Sequence, residues 1–182
     1  TKRTLVTAAR ISMLRLAPLP EAAQTEMILS GRLLTAAERL LLPPPLALAV
    51  DLTDVRIVPR WHTPLAAMLK VTVVRGARIF WANAPEEATT LSERAHLAHE
   101  LVHVWQYKAL RRSGIELLAS RLYRYRLEPH RAFLSYGYEQ QAAIVEDYVR
   151  LSAGAPARWS AAGAPRLEDY AAVIESASGA AG

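Results

Sequence analysis

The chain contains no cysteine. That excludes a disulfide framework and every thiolate metal site, so any metal must be held by histidine and carboxylate, and the histidines number five. It also lacks an apolar run of the roughly 20 residues that a bilayer-spanning helix needs. The most apolar stretch, Leu40 to Val50, is broken by Pro43, Pro44 and Pro45. No secretory signal is visible at Thr1, which fits both the cytoplasm and export by an injection machine; a trimmed leader or a longer parent chain stays open. There is no internal repeat and no Ser/Gly linker. A large excess of one charge is missing too: 22 basic against 17 acidic residues leave +5, without the blocks of a charged tail. No RNA or DNA module is recognisable, which makes nucleic acid the least favoured partner.

What is present is enough for a core. With 182 residues, 52% hydrophobic and 21% charged, the chain reads as one globular domain. Residues 1–151 make that domain, with 1–20 loosely attached. Residues 152–182, rich in Ala, Gly and Pro, read as a tail in which Leu167 to Ser176 forms a short docking helix.

Thr35-Ala-Ala-Glu38 has the spacing of a capping box and predicts a short helix that the prolines from Pro43 stop. Val55 to Val58 reads as a strand. Lys70 to Val74 and Ala77 to Trp81, joined at Arg75-Gly76, read as a hairpin. From Leu91 the apolar period becomes helical and predicts a helix to about Leu110, a second over Ile115 to Leu127, and a third over Phe133 to Leu151. A helix, a small sheet and then helices give an α+β fold rather than alternating βαβ units.

His99-Glu100-Leu101-Val102-His103 lies inside the first of these long helices. Residues four apart stack on one helix face, so both imidazoles can reach one zinc ion at about 2.0 to 2.1 Å. Glu100 projects beside them and can act as general base toward a water that the metal activates. Five histidines in a chain of this composition would produce the pattern by chance roughly 0.01 times.

Zinc needs a third protein ligand. The metzincin continuation would place Gly at 106 and His at 109, where this chain has Gln106 and Ala109. His130 and the carboxylates of Glu116, Glu128, Glu139, Glu146 and Asp147 are left, and Glu139 is the best of them. It opens the third helix ahead of Ala142 and Ala143, whose small side chains allow close approach to the metal helix. Glu146 lies about 10.5 Å further along, at 1.5 Å per residue, so it cannot share the ion with Glu139. Glu146 or Asp147 is suited instead to orient a ligand histidine. His96 is read as a surface or supporting histidine, and His62 as a loop residue. Tyr136, Tyr138 and His130 could each donate to a developing oxyanion, with aromatic packing the simpler role for both tyrosines.

Leu97-Ala98-His99-Glu100-Leu101-Val102-His103-Val104-Trp105-Gln106, with Tyr138-Glu139-Gln140-Gln141-Ala142, resembles the zinc metallopeptidase-like domains of the Vgr-related family associated with contractile injection systems. Gly31 to Thr35 and Glu38 resemble that family's entry segment, and the likeness spans roughly residues 30–151. More broadly the chain is similar to gluzincins. This implies a small zincin-like domain with a short sheet before the motif helix, Zn²⁺ as cofactor, and His99, His103 and Glu139 as ligands. Gluzincins often carry an acidic residue four positions beyond the ligand glutamate, where this chain has Ala143.

The net positive charge is local. Between Lys108 and Arg131 stand seven basic residues against Glu116 and Glu128, which equals the +5 of the whole chain. A solvated helix face accounts for this most simply, with an acidic substrate or partner as the next reading. The function expected is hydrolysis of peptide bonds with Glu100 as general base, the Ala77 to Trp81 strand aligning an extended substrate. The alternative is a non-catalytic zinc-containing interaction module of a secretion apparatus.

Overall fold

Thr35 and Glu38 close the expected capping box: the Glu38 N–H donates to Thr35 Oγ1 at 3.1 Å, and the Thr35 N–H donates to Glu38 Oε2 at 2.9 Å. In this computed structural model, which describes residues 30–111, 122–128, 130–161 and 166–178, that box starts helix α1 (Ala36–Arg39). Glu38 is buried, and it also accepts both Arg32 guanidinium nitrogens at 2.7 Å and the Ala88 N–H at 2.9 Å. Burial alone would raise its pKa, but these donors hold it below the usual carboxylate value. The prolines end α1 and also start the next turn: Pro43 is the N-cap of α2 (Pro44–Ala47).

Strands β1 (Arg32–Leu33), β2 (Arg56–Val58), β3 (Val73–Arg75) and β4 (Arg78–Phe80) form a four-stranded sheet in the order β1-β2-β4-β3. The β2/β4 pair is parallel and the other two are antiparallel. The crossover contains α3 (Pro64–Leu69), capped by the Thr63 side chain. The expected hairpin is present with a shorter first strand. Lys70, at φ 52°, closes α3, and the Lys70 and Val71 N–H groups bond back to α3 carbonyls, so pairing begins only at Val73. Gly76 turns the chain at φ 60°.

One expectation about this sheet is corrected. The Ala77 to Trp81 strand cannot align a peptide by edge pairing, because β4 lies between β2 and β3. Among the described residues the edge strands are β1 and β3.

Ile57, Val74 and Ile79 align across the sheet and are buried on its core side. Period-two alternation therefore puts Arg56, Arg78 and Arg75, also mutually aligned, on the other side. Like charges directly opposite one another destabilise a sheet. Arg78→Thr is accordingly expected to stabilise the fold by about 0.5 kcal/mol in urea unfolding at low salt. A loss of stability of that size would show that the arginine row supports the sheet.

Helix α4 (Leu91–Lys108) starts on a second capping box, Thr90 with Glu93. It ends at Lys108, whose ammonium contacts Asp51 O and Asp54 Oδ1, both at 2.6 Å. Residues 97–106 are all buried, because the sheet covers one flank and α5 (Tyr138–Ser152) the other. Ala142 and Ala143 are fully enclosed at the contact with α4. The expected start of this last helix at Phe133 is replaced by a 3₁₀ turn, Phe133–Ser135, with Gly137 as the cap of α5.

The helix expected over Ile115 to Leu127 lies partly outside the described residues, and its remainder, 122–127, is non-helical chain with an isolated bridge at Tyr125. Tyr125 bridges in parallel to Ser160: the Ala161 N–H donates to Tyr125 O at 2.7 Å. The buried Tyr125 hydroxyl meets Asp147 at 2.6 Å, a contact that holds the residue on α5. Helix α6 (Leu167–Glu175) occupies the expected short-helix position. Its Tyr170, Val173 and Ile174 are buried in the same core as α4 and α5, so that core continues beyond residue 151.

Candidate metal centre

Three side-chain atoms converge between α4 and α5. His99 Nε2 and His103 Nε2 are 3.2 Å apart, and Glu139 Oε2 lies 3.3 Å from the first and 3.2 Å from the second. All three residues are buried, and among the described residues they form a group able to hold a metal ion. A tetrahedral ion with bonds of about 2.05 Å requires ligand atoms about 3.3 Å apart, so the triangle fits such an ion without rearrangement.

The elements explain the convergence. Four residues of α4 bring the two imidazoles to one face, and α5 enters that face with Glu139 in its first turn.

Each histidine is oriented from behind. His103 Nδ1 lies 2.8 Å from Gln106 Oε1. The direction of that bond follows from the rest of the chain of amides. Gln106 Nε2 donates to Tyr138 O at 3.0 Å and to Gln141 Oε1 at 2.9 Å, and Gln141 Nε2 donates to Tyr136 O at 2.8 Å. Gln106 must therefore present oxygen to His103, which puts the proton on Nδ1 and leaves Nε2 as the ligand lone pair. Tyr138 stacks on the same ring at 4.6 Å and 7°.

On the other imidazole, Glu146 Oε2 lies 3.1 Å from His99 Nδ1, an ion-pair distance at an angle too oblique for a well-aligned hydrogen bond. One ring thus separates two carboxylates, Glu139 on its ligand nitrogen and Glu146 on its outer nitrogen. Burial alone would lower the His99 pKa, but Glu139, Glu146 and the charge of Glu100 outweigh it and raise the pKa to about 10. Burial opposes the Glu139 carboxylate as well, yet its contacts with His103 and His99 lower it to about 2.

Glu146 is itself positioned. The Trp159 indole N–H donates to Glu146 Oε2 at 2.8 Å, and Arg158 reaches Oε1 at 3.4 Å. Asp147 fixes the segment that carries both residues, accepting the N–H groups of Arg158, Trp159 and Ser160 at 2.6, 3.0 and 3.1 Å. Trp159→Phe would keep the stack on Tyr123, now 4.9 Å at 27°, while removing the indole donor. Metal affinity in competition with a chelator is expected to fall about tenfold, the lower end for a group behind a ligand. Unchanged affinity would show that Glu146 needs no such support.

Glu100 is buried beside the triangle and contributes no atom to it. His96 Nε2 is 3.7 Å from Glu100 Oε1 and 2.9 Å from Thr72 Oγ1, so His96 links the motif helix to the chain entering β3. The other candidates stand elsewhere. His130 and Glu128 are exposed, and Glu116 lies outside the described residues. Tyr136 accepts the Glu128 N–H at 2.9 Å and is buried, which gives it a packing role. Tyr123, which the sequence did not single out, places its ring 5.8 Å from His99. In the basic segment Lys108 is paired with Asp54, and Arg131 lies 4.2 Å over the Tyr136 ring.

No family model matches the chain, and no curated protein does. A solved structure does. The fold is similar to that of the effector domain of Pseudomonas aeruginosa VgrG2b. The likeness has a TM-score of 0.56 at 24% identity and covers 70% of this chain and 78% of that one. At this identity it establishes a shared α+β fold, and the site's chemistry has to be argued from its own residues. Among the described residues no helix is long and apolar enough to cross a membrane.

Proposed function

We propose that the chain is a zinc-dependent peptide hydrolase of gluzincin type, acting as an effector domain delivered by a contractile injection apparatus. The observation that carries the reading is the His99–His103–Glu139 triangle with the buried Glu100 carboxylate beside it. Two imidazoles and one carboxylate are a donor set that suits zinc and leaves a fourth position open. Zinc bound there supplies Lewis acidity, which polarises a carbonyl and acidifies a water.

The protein's own residues do the rest. Glu100 accepts the proton of the attacking water and returns it to the departing amine as the C–N bond breaks. Glu146 and Gln106 hold the two imidazoles in place, so the ligand atoms need not reorganise. A peptide aligned by strand addition would use β3, the edge strand that Thr72 and His96 tie to the motif helix. Delivery by an injection apparatus accords with the fold shared with the VgrG2b effector domain.

The test is cleavage of unfolded casein by zinc-loaded protein, followed by mass spectrometry. Chelator-sensitive cleavage supports the reading. Stoichiometric zinc without cleavage of casein or of a proteome-derived peptide mixture would favour the non-catalytic interaction module.

A further inference from the structure

The outward side of the sheet bears on which peptide the site takes. Arg56, Arg78 and Arg75 stand in register on β2, β4 and β3, so their side chains form one row across three neighbouring strands. None of the three has a carboxylate partner among the described residues, whereas Arg32, Lys108 and Arg166 are all paired with acids. One more guanidinium lies on the same side. Arg60 sits 5.7 Å over the Phe80 ring, and His62 packs 4.5 Å from that ring. Burial, followed by the nearby charges of Arg75 and Arg60, holds the His62 imidazole below its usual pKa.

The row ends at Arg75, which is exposed on β3, and β3 is paired on one side only among the described residues. That strand runs beside the metal helix. Thr72, before it, bonds to His96, and a Cβ on Gly76, after it, would come within 3.5 Å of Tyr107. The strand thus passes the His99–His103 turn between those two contacts.

We infer that the open edge of β3 takes an acidic peptide, with an Asp or Glu placed opposite Arg75 as the next member of the arginine row. This rests on the peptidase reading and names its substrate class. In-register side chains on neighbouring strands are the pairs that interact most strongly across a sheet, and opposite charges there are favourable. A carboxylate opposite Arg75 neutralises a row that otherwise repels itself, and a guanidinium can grip it with two parallel hydrogen bonds. A lysine in the same place would extend the repulsion. The acidic preference therefore arises at the sheet edge rather than in the Lys108 to Arg131 segment.

The test uses the full chain as the zinc-loaded Glu100→Gln variant, so that probes bind without being cut. The probes are two fluorescein-labelled decapeptides, one alternating Val with Glu and one alternating Val with Gln, read by fluorescence anisotropy. The Glu peptide is expected to bind at least about tenfold more tightly at 50 mM salt, with the gap narrowing at 300 mM. Adding Arg75→Gln should reduce the gap to less than about twofold, whereas the surface control Arg166→Gln should leave it intact. Equal binding of the two peptides, no binding of either, or tighter binding of a Val/Lys peptide would overturn the inference. So would a single-stranded DNA 20-mer that binds through Arg75 in place of the Glu peptide. Casein cleavage by the wild type separates the two levels: cleavage without acidic preference removes this inference and leaves the peptidase reading standing.

Discussion

Glu100→Gln is expected to lower kcat/KM for peptide cleavage by about 10³-fold while leaving bound metal unchanged, in line with the loss of a general base. Glutamine keeps the volume and the hydrogen-bonding length of the side chain but cannot accept the water's proton. Glu100 supplies no atom to the His99–His103–Glu139 triangle, so metal retention should be unaffected. The Glu100 carboxylate lies 3.7 Å from His96 Nε2, and losing that contact should have little effect on folding. Full activity in the variant would remove Glu100 from the chemistry. Lost metal would instead show that the carboxylate supports the site.

The second large effect is structural. Asp147→Ala is expected to destabilise the protein by about 4 kcal/mol, at the upper end for a single substitution. The carboxylate is wholly buried and accepts four hydrogen bonds, from the Tyr125 hydroxyl and from the N–H groups of Arg158, Trp159 and Ser160. Hydrogen bonds to a charged group are worth about 1.5 to 3 kcal/mol each, and they are not additive here because all four share one acceptor. Removing the acceptor leaves three backbone donors to find water at a partly buried site. Urea unfolding with an unchanged slope measures the loss, and a change under about 1 kcal/mol would contradict the account. Trp159 would be released along with this segment, so metal affinity should fall in the same variant.

The motif's chemistry was legible because it is local. Four-residue spacing puts His99 and His103 on one face, and the Thr35–Glu38 box announces its own helix. Glu139 was legible from Ala142 and Ala143, whose size lets α5 approach α4. The supports behind the ligands depend on chain far from the motif. Periodicity reduced the orienting carboxylate to Glu146 or Asp147, but the choice is made by residues 158–160, in a stretch whose Ala, Gly and Pro content suggests poor core material. Trp159 engages Glu146 there, and three N–H groups engage Asp147. Tyr125 shows the same effect in reverse. Its helical spacing with Leu118 and Leu122 is real, yet the hydroxyl's buried contact with Asp147 and the bridge to Ser160 hold Tyr125 in non-helical chain instead. Gln106 carried a readable signal, an amide three residues beyond His103 on the same helix. The sheet order was not readable, because the parallel β2/β4 pair depends on a crossover that no local pattern encodes.

Zinc titration of the metal-free protein decides whether His99, His103 and Glu139 hold one metal ion. The titration should be monitored by calorimetry at pH 6.5 and 7.5 in buffers of different ionisation enthalpy. His99, with its pKa raised to about 10, carries a proton across this range, and that proton must leave when the metal binds. One zinc per chain is expected to bind, with release of the His99 proton. Apparent affinity is expected to be about tenfold higher at pH 7.5 than at pH 6.5, because each zinc bound displaces one proton, and Glu139→Ala is expected to lose binding. Absence of stoichiometric zinc, or zinc retained at full affinity in Glu139→Ala, would rule out this three-ligand site.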